Sequence, residues 1–489
     1  MRKTLSMLLI LALMLTMSAA IFAEGVTVED GETSEIGETT EIANYGGATV
    51  EEVHLGSDTN KMRLLLVGDT HYTCGENPLY NYPYITRRDS FGIDHEEKTQ
   101  ELIDGILAEN YIDEVDAVLF LGDLANNDKP FQRYSKMYRD NVCGGKDFLE
   151  FTDAEWTGWY NYMMTEFYKS EYDCIYWFNE RYLSQLSAAG IPYYVIPGNH
   201  DGYTTEMWKK TFGDECYDKD GNLVQDANMY FTYREDGSLF SSDYMLTFPE
   251  FDTAISMLDI YNYEDDPVTH KPVDRFINYI KGDCVLYTPV HDSGTREANF
   301  MGMVEMAKDY TYYYICGHHY NGQLDYPATQ DCVEDDWIAK TGNKYGNLRL
   351  LIYAHDHFPW EVYGTKYETD NGIVPIICTS HWSTTESASY YDKDTGEKVP
   401  LFGSLRQQGA YDQNSWGYNV IEQTASGGVY YKIFSDMTYE YQQSLKDYLE
   451  RTGIWGYKSG DCTSTPYELP YTVEYRRTKP TTIYTKAGK

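Results

Sequence analysis

Met62-Arg63-Leu64-Leu65-Leu66-Val67-Gly68-Asp69-Thr70-His71 decides how this chain is read: an apolar run of strand length gives way to a carboxylate and an imidazole two residues apart. Such a run reads as a buried strand. Once strand turns into loop, Asp69 and His71 can turn toward one point, and open α/β sheets place their ligands at such carboxyl ends. The same arrangement recurs in Leu119-Phe120-Leu121-Gly122-Asp123, where the glycine permits a tight turn and a close approach. It recurs again in Gly198-Asn199-His200-Asp201, Gly317-His318-His319 and His355-Asp356-His357, each behind its own apolar run.

Outward from these stretches, further apolar runs occupy 254–258, 285–287 and 374–378, and helix candidates lie at 96–110, 170–189 and 298–309. Strands that alternate with helices imply a layered α/β domain. Residues 128–180 are rich in Trp, Tyr and Phe and read as an inserted helical segment whose aromatics form its own core. No repeat of fixed period is visible, which argues against a solenoid or propeller.

The ends of the chain read differently. Residues 1–23 hold Arg2 and Lys3, an apolar run too short to span a bilayer, and small residues up to Ala20 and Ala23. That is the layout of a signal peptide cleaved near Ala20 or Ala23, so the protein is expected to be secreted, with no transmembrane segment. Residues 24–60 are acidic, contain no Lys or Arg before Lys61 and read as a flexible spacer. The catalytic domain is expected to span 61–439, followed by an extension at 440–489 to which the sequence assigns no role. A formal charge of −38 disfavours a role in coating nucleic acid or docking on anionic membranes, yet leaves room for an anionic substrate in a local cationic cleft. Nine cysteines with no Cys-x-x-Cys pair do not make a disulfide scaffold.

The donors gathered at the strand ends are carboxylate and amide oxygens and imidazole nitrogens, without thiolate. That set suits Mn, Fe or Zn and argues against a structural cysteine–zinc site. Two cations would outweigh the charges of Asp69 and Asp123, and the surplus would hold a phosphate and acidify a water.

In order and spacing, the five blocks resemble those of the calcineurin-like metallophosphoesterase superfamily, over roughly residues 61–385. The resemblance implies a four-layer α/β/β/α sandwich and two divalent or trivalent metal ions. Carried over by position, Asp69, His71, Asp123 and His357 would surround one metal, and Asp123, Asn199, His318 and His355 the other. His200 would protonate or steady the leaving oxygen, with Asp201 supporting its orientation. A hydroxide held between the metals would attack phosphorus. The implied activity is hydrolysis of phosphate esters, monoesters first. Diesters of nucleotide or phospholipid type are the alternative, and a catalytically silent binding protein of the same fold is the other.

This chain departs from the family pattern at three places. Ala354 stands where the last block usually has Gly. Asn126 stands where purple acid phosphatases place a metal-binding Tyr, so a charge-transfer iron site is not expected. The lone-His block offers His318 and His319 side by side, with His291 as a further rival; His318 is preferred because it comes first after its strand. His319 and His381 are left as candidate substrate contacts, while His54, His95 and His270 read as ordinary surface or core residues.

Overall fold

The computed structural model describes residues 49–53, 60–74, 95–107, 115–213, 228–233, 239–259, 266, 268–282, 290, 294–318, 331–355, 366–379, 389–391, 398–400, 417–424, 427–435, 473–479 and 482–486. Two seven-stranded mixed sheets form the core. The first runs Thr482–Lys486, Val473–Lys479, Gly427–Ser435, Gly417–Thr424, Lys61–Val67, Ala117–Leu121, Tyr193–Ile196 from edge to edge. The second runs Thr49–Glu52, Tyr244–Phe248, Thr253–Leu258, Tyr312–Gly317, Leu348–Tyr353, Gly372–Cys378, Lys366–Thr369.

Lys61–Val67, Ala117–Leu121 and Tyr193–Ile196 pair in parallel, as do Thr253–Leu258, Tyr312–Gly317, Leu348–Tyr353 and Gly372–Cys378. Strands covered on both faces need apolar side chains on both, which is why these segments read as continuous apolar runs rather than alternating ones. Parallel pairing also brings their carboxyl ends to one edge of each sheet.

Side-chain alternation stacks the sheets. In Tyr312–Gly317, Tyr314 points at the first sheet, where its hydroxyl donates to Gln423 Oε1 at 2.5 Å. Its neighbour Ile315 points the other way, under the helix Asp331–Gly342, so close that a Cβ at Gly342 would meet its Cδ1 at 2.5 Å. The Tyr244 hydroxyl crosses between the sheets to the Val195 carbonyl at 2.8 Å. On the far face of the first sheet, Tyr193 donates to Asn179 Oδ1 at 3.0 Å and Phe120 meets Phe178 edge-on. Helices therefore cover the outer face of each sheet, giving the α/β/β/α order.

Residues 128–180 are helical. Asp128–Asn141 and Asp153–Tyr162 are joined by a loop at 142–152 that includes the 3-10 turn Phe148–Glu150, and Thr152 with Glu155 forms a reciprocal capping box at the second helix. Phe131, Trp159 and Phe167 meet edge-to-face inside it, with Trp156 against Trp159 at 5.4 Å.

Several boundaries differ from the sequence reading. Thr49–Glu52, inside the stretch read as spacer, is an edge strand paired with Tyr244–Phe248. Val473–Lys479 and Thr482–Lys486, from the stretch set apart as an extension, continue the first sheet beyond Gly427–Ser435. The helix placed at 170–189 starts at Cys174, because the Asp173 carboxylate caps it by accepting from the Tyr176 N–H at 3.1 Å. It then passes through a π turn at Asn179–Leu183. The run at 285–287 and the leader 1–23 lie outside the described residues. Among the described residues, no helix is long and apolar enough to cross a membrane.

Candidate metal centre

Five strands deliver their following residues to one place: Gly68 and Asp69, Gly122 and Asp123, Gly198 to Asp201, His318, and Ala354 with His355. The backbone there is unusual. Asp69, His71, Asp123 and His355 all have positive φ, between 45° and 67°, a region that costs most non-glycine residues roughly 1–2 kcal/mol. Their strain is held by packing. A Cβ at Gly198 would lie 2.1 Å from the Asp123 nitrogen, and one at Gly122, itself at φ 83°, would strike the His318 ring at 2.6 Å. Only glycine lets the three loops approach this closely. Gly68 accounts for Ala354 in the same way: a Cβ there would sit 2.6 Å from the Ala354 methyl, so the missing side chain on one strand makes room for the extra one on the next.

Asp123 is the hub. Its Oδ1 accepts the His200 backbone N–H at 2.7 Å, while its Oδ2, fully buried, has no hydrogen-bond partner. Two imidazoles face that oxygen, His71 Nε2 and His318 Nε2, each at 3.3 Å. Both rings are oriented from behind. His71 Nδ1 donates to Asn126 Oδ1 at 2.7 Å, and His318 Nδ1 donates to the Leu121 carbonyl at 2.7 Å. In the neutral ring each therefore aims the lone pair of Nε2 forward, the tautomer a metal requires. On the His318 side, Asn199 Oδ1 lies 3.1 Å from His318 Nε2 and 2.8 Å from His355 Nδ1. Asp69 accepts the His355 N–H on both oxygens, at 3.1 and 3.0 Å.

The donors thus form two groups that share one carboxylate: His71, Asp123 and His200 in the first, Asp123, His318 and His355 in the second. Electrostatics show what such a gathering demands. Burial pushes the Asp69 carboxyl up to about 8 and drives the His71 and His355 rings down to about 4 and about 3. Burial works against charge at His318 too, yet the Asp123 carboxylate outweighs it and holds that ring up to about 9. Buried acids and bases in mutual compensation, around a carboxylate oxygen that two imidazole nitrogens face, fit cations that would replace those protons.

His200 stands at the mouth, its side chain about one-third exposed. Burial opposes its protonation, but the Asp123 and Asp128 carboxylates prevail and hold it up to about 10. The partner behind its ring is Asp128, whose Oδ1 is 3.4 Å from Nδ1. The buried Asp201 carboxylate accepts the N–H groups of Gly198, Leu124 and Ala125 at 2.8, 3.1 and 3.0 Å, binding the Asp123 loop to its own. Sequence reading missed Asp128 because it follows Asp123 by five residues, at the start of a helix. The turn reaches His200 only because the His200 carbonyl accepts the N–H groups of Asn127 and Asp128. Beyond Asp128, Lys129 Nζ holds the other carboxylate oxygen at 2.9 Å. His357, His319, His381 and His291 lie outside the described residues.

Residues 62–359 match the sequence family described as calcineurin-like phosphoesterase. Among solved structures, a dimetal phosphatase from Danio rerio aligns over 76% of this chain and 98% of its own, at 11% identity and a TM-score of 0.36. A calcineurin-like phosphoesterase from Bacillus subtilis aligns over 80% and 98%, at 11% identity and a TM-score of 0.32. No curated protein sequence matches the chain.

Proposed function

Because the chain belongs to the calcineurin-like phosphoesterase family and is a metal-dependent phosphoester hydrolase, we propose that it is an exported phosphomonoesterase with a dinuclear centre that shares Asp123. The observation that carries the reading is the unpartnered Asp123 Oδ2 between two forward-aimed imidazoles. By the family pattern, one ion would take Asp69, His71, Asp123 and His357 and the other Asp123, Asn199, His318 and His355, which leaves His200 of the His71–Asp123 group for the proton. When bound, two cations supply positive charge for the phosphoryl oxygens and an activated water.

The chain's own residues do the rest. Asn126 and the Leu121 carbonyl fix the two imidazole tautomers, and the positive-φ backbone of Asp69, His71, Asp123 and His355 aims their side chains inward. His200, held protonated by Asp123 and Asp128, delivers a proton to the departing oxygen from the exposed side. Asp128 positions that ring. Lys129 and His200 together place positive charge at the mouth of a protein whose formal charge is −38. A monoester dianion gains more from that local field than a diester monoanion, which supports the monoester preference. Export is supported by the Arg2–Lys3, apolar, small-residue order of the leader.

The test is a panel of mono- and diesters with matched leaving groups, run on protein reconstituted with Mn, Fe or Zn. Higher kcat/KM on monoesters is the expected outcome. A preference for diesters would overturn the substrate assignment while leaving the centre intact, and a blank panel with metals bound would return the fold to a binding role.

A further inference from the structure

We infer that Cys74 and Cys174 form a disulfide that ties the loop carrying His71 to the helical insertion. Cys74 follows Asp69 and His71 in the same loop, and Cys174 opens the helix Cys174–Phe178, 100 residues away in the chain. Their Sγ atoms are 3.0 Å apart. That is closer than unbonded carbon atoms sit at their optimum of about 3.5–4.0 Å, although sulfur is the larger atom. It exceeds a disulfide bond by only about 1 Å. Both side chains are buried.

The approach does not depend on the sulfurs attracting each other. The Cys74 N–H points at Cys174 Sγ at 3.3 Å, and the Cys174 N–H donates to Asn127 Oδ1 at 2.9 Å. Asn127 in turn donates from Nδ2 to the Gly202 carbonyl at 2.8 Å, beside the His200 loop. Tyr72, between His71 and Cys74, packs on Phe178 of the insertion and on Tyr182 just beyond it, and accepts a hydrogen bond from Arg181. Two segments already fixed on both sides thus hold two thiols in contact, and oxidation needs little backbone movement.

The chemistry is ordinary exchange with an external disulfide, such as oxidised glutathione or the active disulfide of a thiol oxidase. One cysteine thiolate attacks a donor sulfur and expels a thiolate. The second attacks the mixed disulfide and expels the other, so two cysteine protons and two electrons leave and the donor departs as two thiols. The Cys174 contact and burial push the Cys74 thiol well above its ordinary range, so the bond forms while the chain is folding, before this pocket closes. The inference stands apart from the hydrolase reading and needs only an oxidising environment.

The test is a peptide map of the full chain after exposure to oxidised glutathione during refolding, then unfolding in acid with excess N-ethylmaleimide. The expected result is a crosslinked pair containing Cys74 and Cys174, lighter by two hydrogens than the free peptides. Recovery of both cysteines alkylated, or of either joined to a different cysteine, overturns the inference. In parallel, Cys74→Ser should lower the melting temperature of the oxidised protein by about 5 °C and leave Cys174 alkylated. The map of the unaltered chain decides the matter even where that variant does not fold.

Discussion

The strand-end loops around Asp123 and the aromatic insertion at 128–180 are both deeply buried, yet they handle an unpartnered polar atom in opposite ways. In the insertion, the indole nitrogens of Trp156 and Trp159 are buried without hydrogen-bond partners and are surrounded by rings. Packing area offsets the lost bond there, and nothing further is needed. In the loops, Asp123 Oδ2 is without a hydrogen-bond partner and faces two imidazole nitrogens. The insertion has a capping box at Thr152 and one non-glycine residue at positive φ, Lys169, whereas the loops rest on four such residues around one carboxylate. The contrast teaches that burial alone does not mark a site. An orphaned acceptor on a strained backbone does, because each costs free energy that a bound group would offset.

The sharpest way to break this comparison is Asp123→Asn. The shared oxygen loses its charge in both ligand groups, so metal content and kcat/KM should fall together, the latter about 10³-fold or more, equivalent to about 4 kcal/mol. Elemental analysis beside steady-state kinetics checks it. Full metal occupancy with undiminished turnover would show that Asp123 Oδ2 is merely another tolerated orphan, like the tryptophan nitrogens.

A matched pair of glycines carries the comparison into the backbone. At Gly198 a new Cβ would meet the Asp123 nitrogen at 2.1 Å and its Oδ1 at 2.2 Å, so Gly198→Ala must displace the hub itself. At Gly158, in the insertion, the obstacle is the Tyr138 hydroxyl at 2.2 Å, the far end of a side chain rather than backbone. Gly198→Ala should cost about 2–3 kcal/mol of stability and about 10²-fold in kcat/KM. Gly158→Ala should cost about 1 kcal/mol or less and leave turnover unchanged, since alanine also favours the helix. Denaturant melts and kinetics on both variants decide it, and equal losses would erase the distinction between the regions.

How much of this was legible in the sequence follows the same division. Gly122, Asp123, Gly198, Asn199 and His200 were readable because a crowded strand end admits few residue types. The parallel strands were readable because burial on both faces leaves a plain apolar signature, as in Leu348–Tyr353. Tyr244–Phe248 and Gly417–Thr424 were not picked out, since strands that mix aromatic and polar residues resemble loop until their partners are known. Thr49–Glu52 looked like spacer by composition, and only pairing with Tyr244–Phe248 makes it a strand. The three N–H groups that the Asp201 carboxylate accepts were not readable, because adjacency in the motif says nothing of which backbone donors a carboxylate meets.

Asp128 belongs to both regions, as the first residue of an insertion helix and the partner of His200, and it gives the finest test of where they meet. Asp128→Asn keeps the shape and removes the charge. Metal content should stay the same, because no ligand is touched, and kcat should fall about 10-fold, most on esters with poor leaving groups. The sign of the pH effect follows from the charges. Asp128 and Asp123 hold the His200 ring up to about 10 against burial, so losing one carboxylate lowers that value. His200 acts in its protonated form, so the basic limb of the kcat/KM profile should move to lower pH in the variant while the acidic limb stays. A profile that merely drops, without moving, would mean that Asp128 supports the helix rather than the acid. The boundary between scaffold and site would then lie at His200 itself.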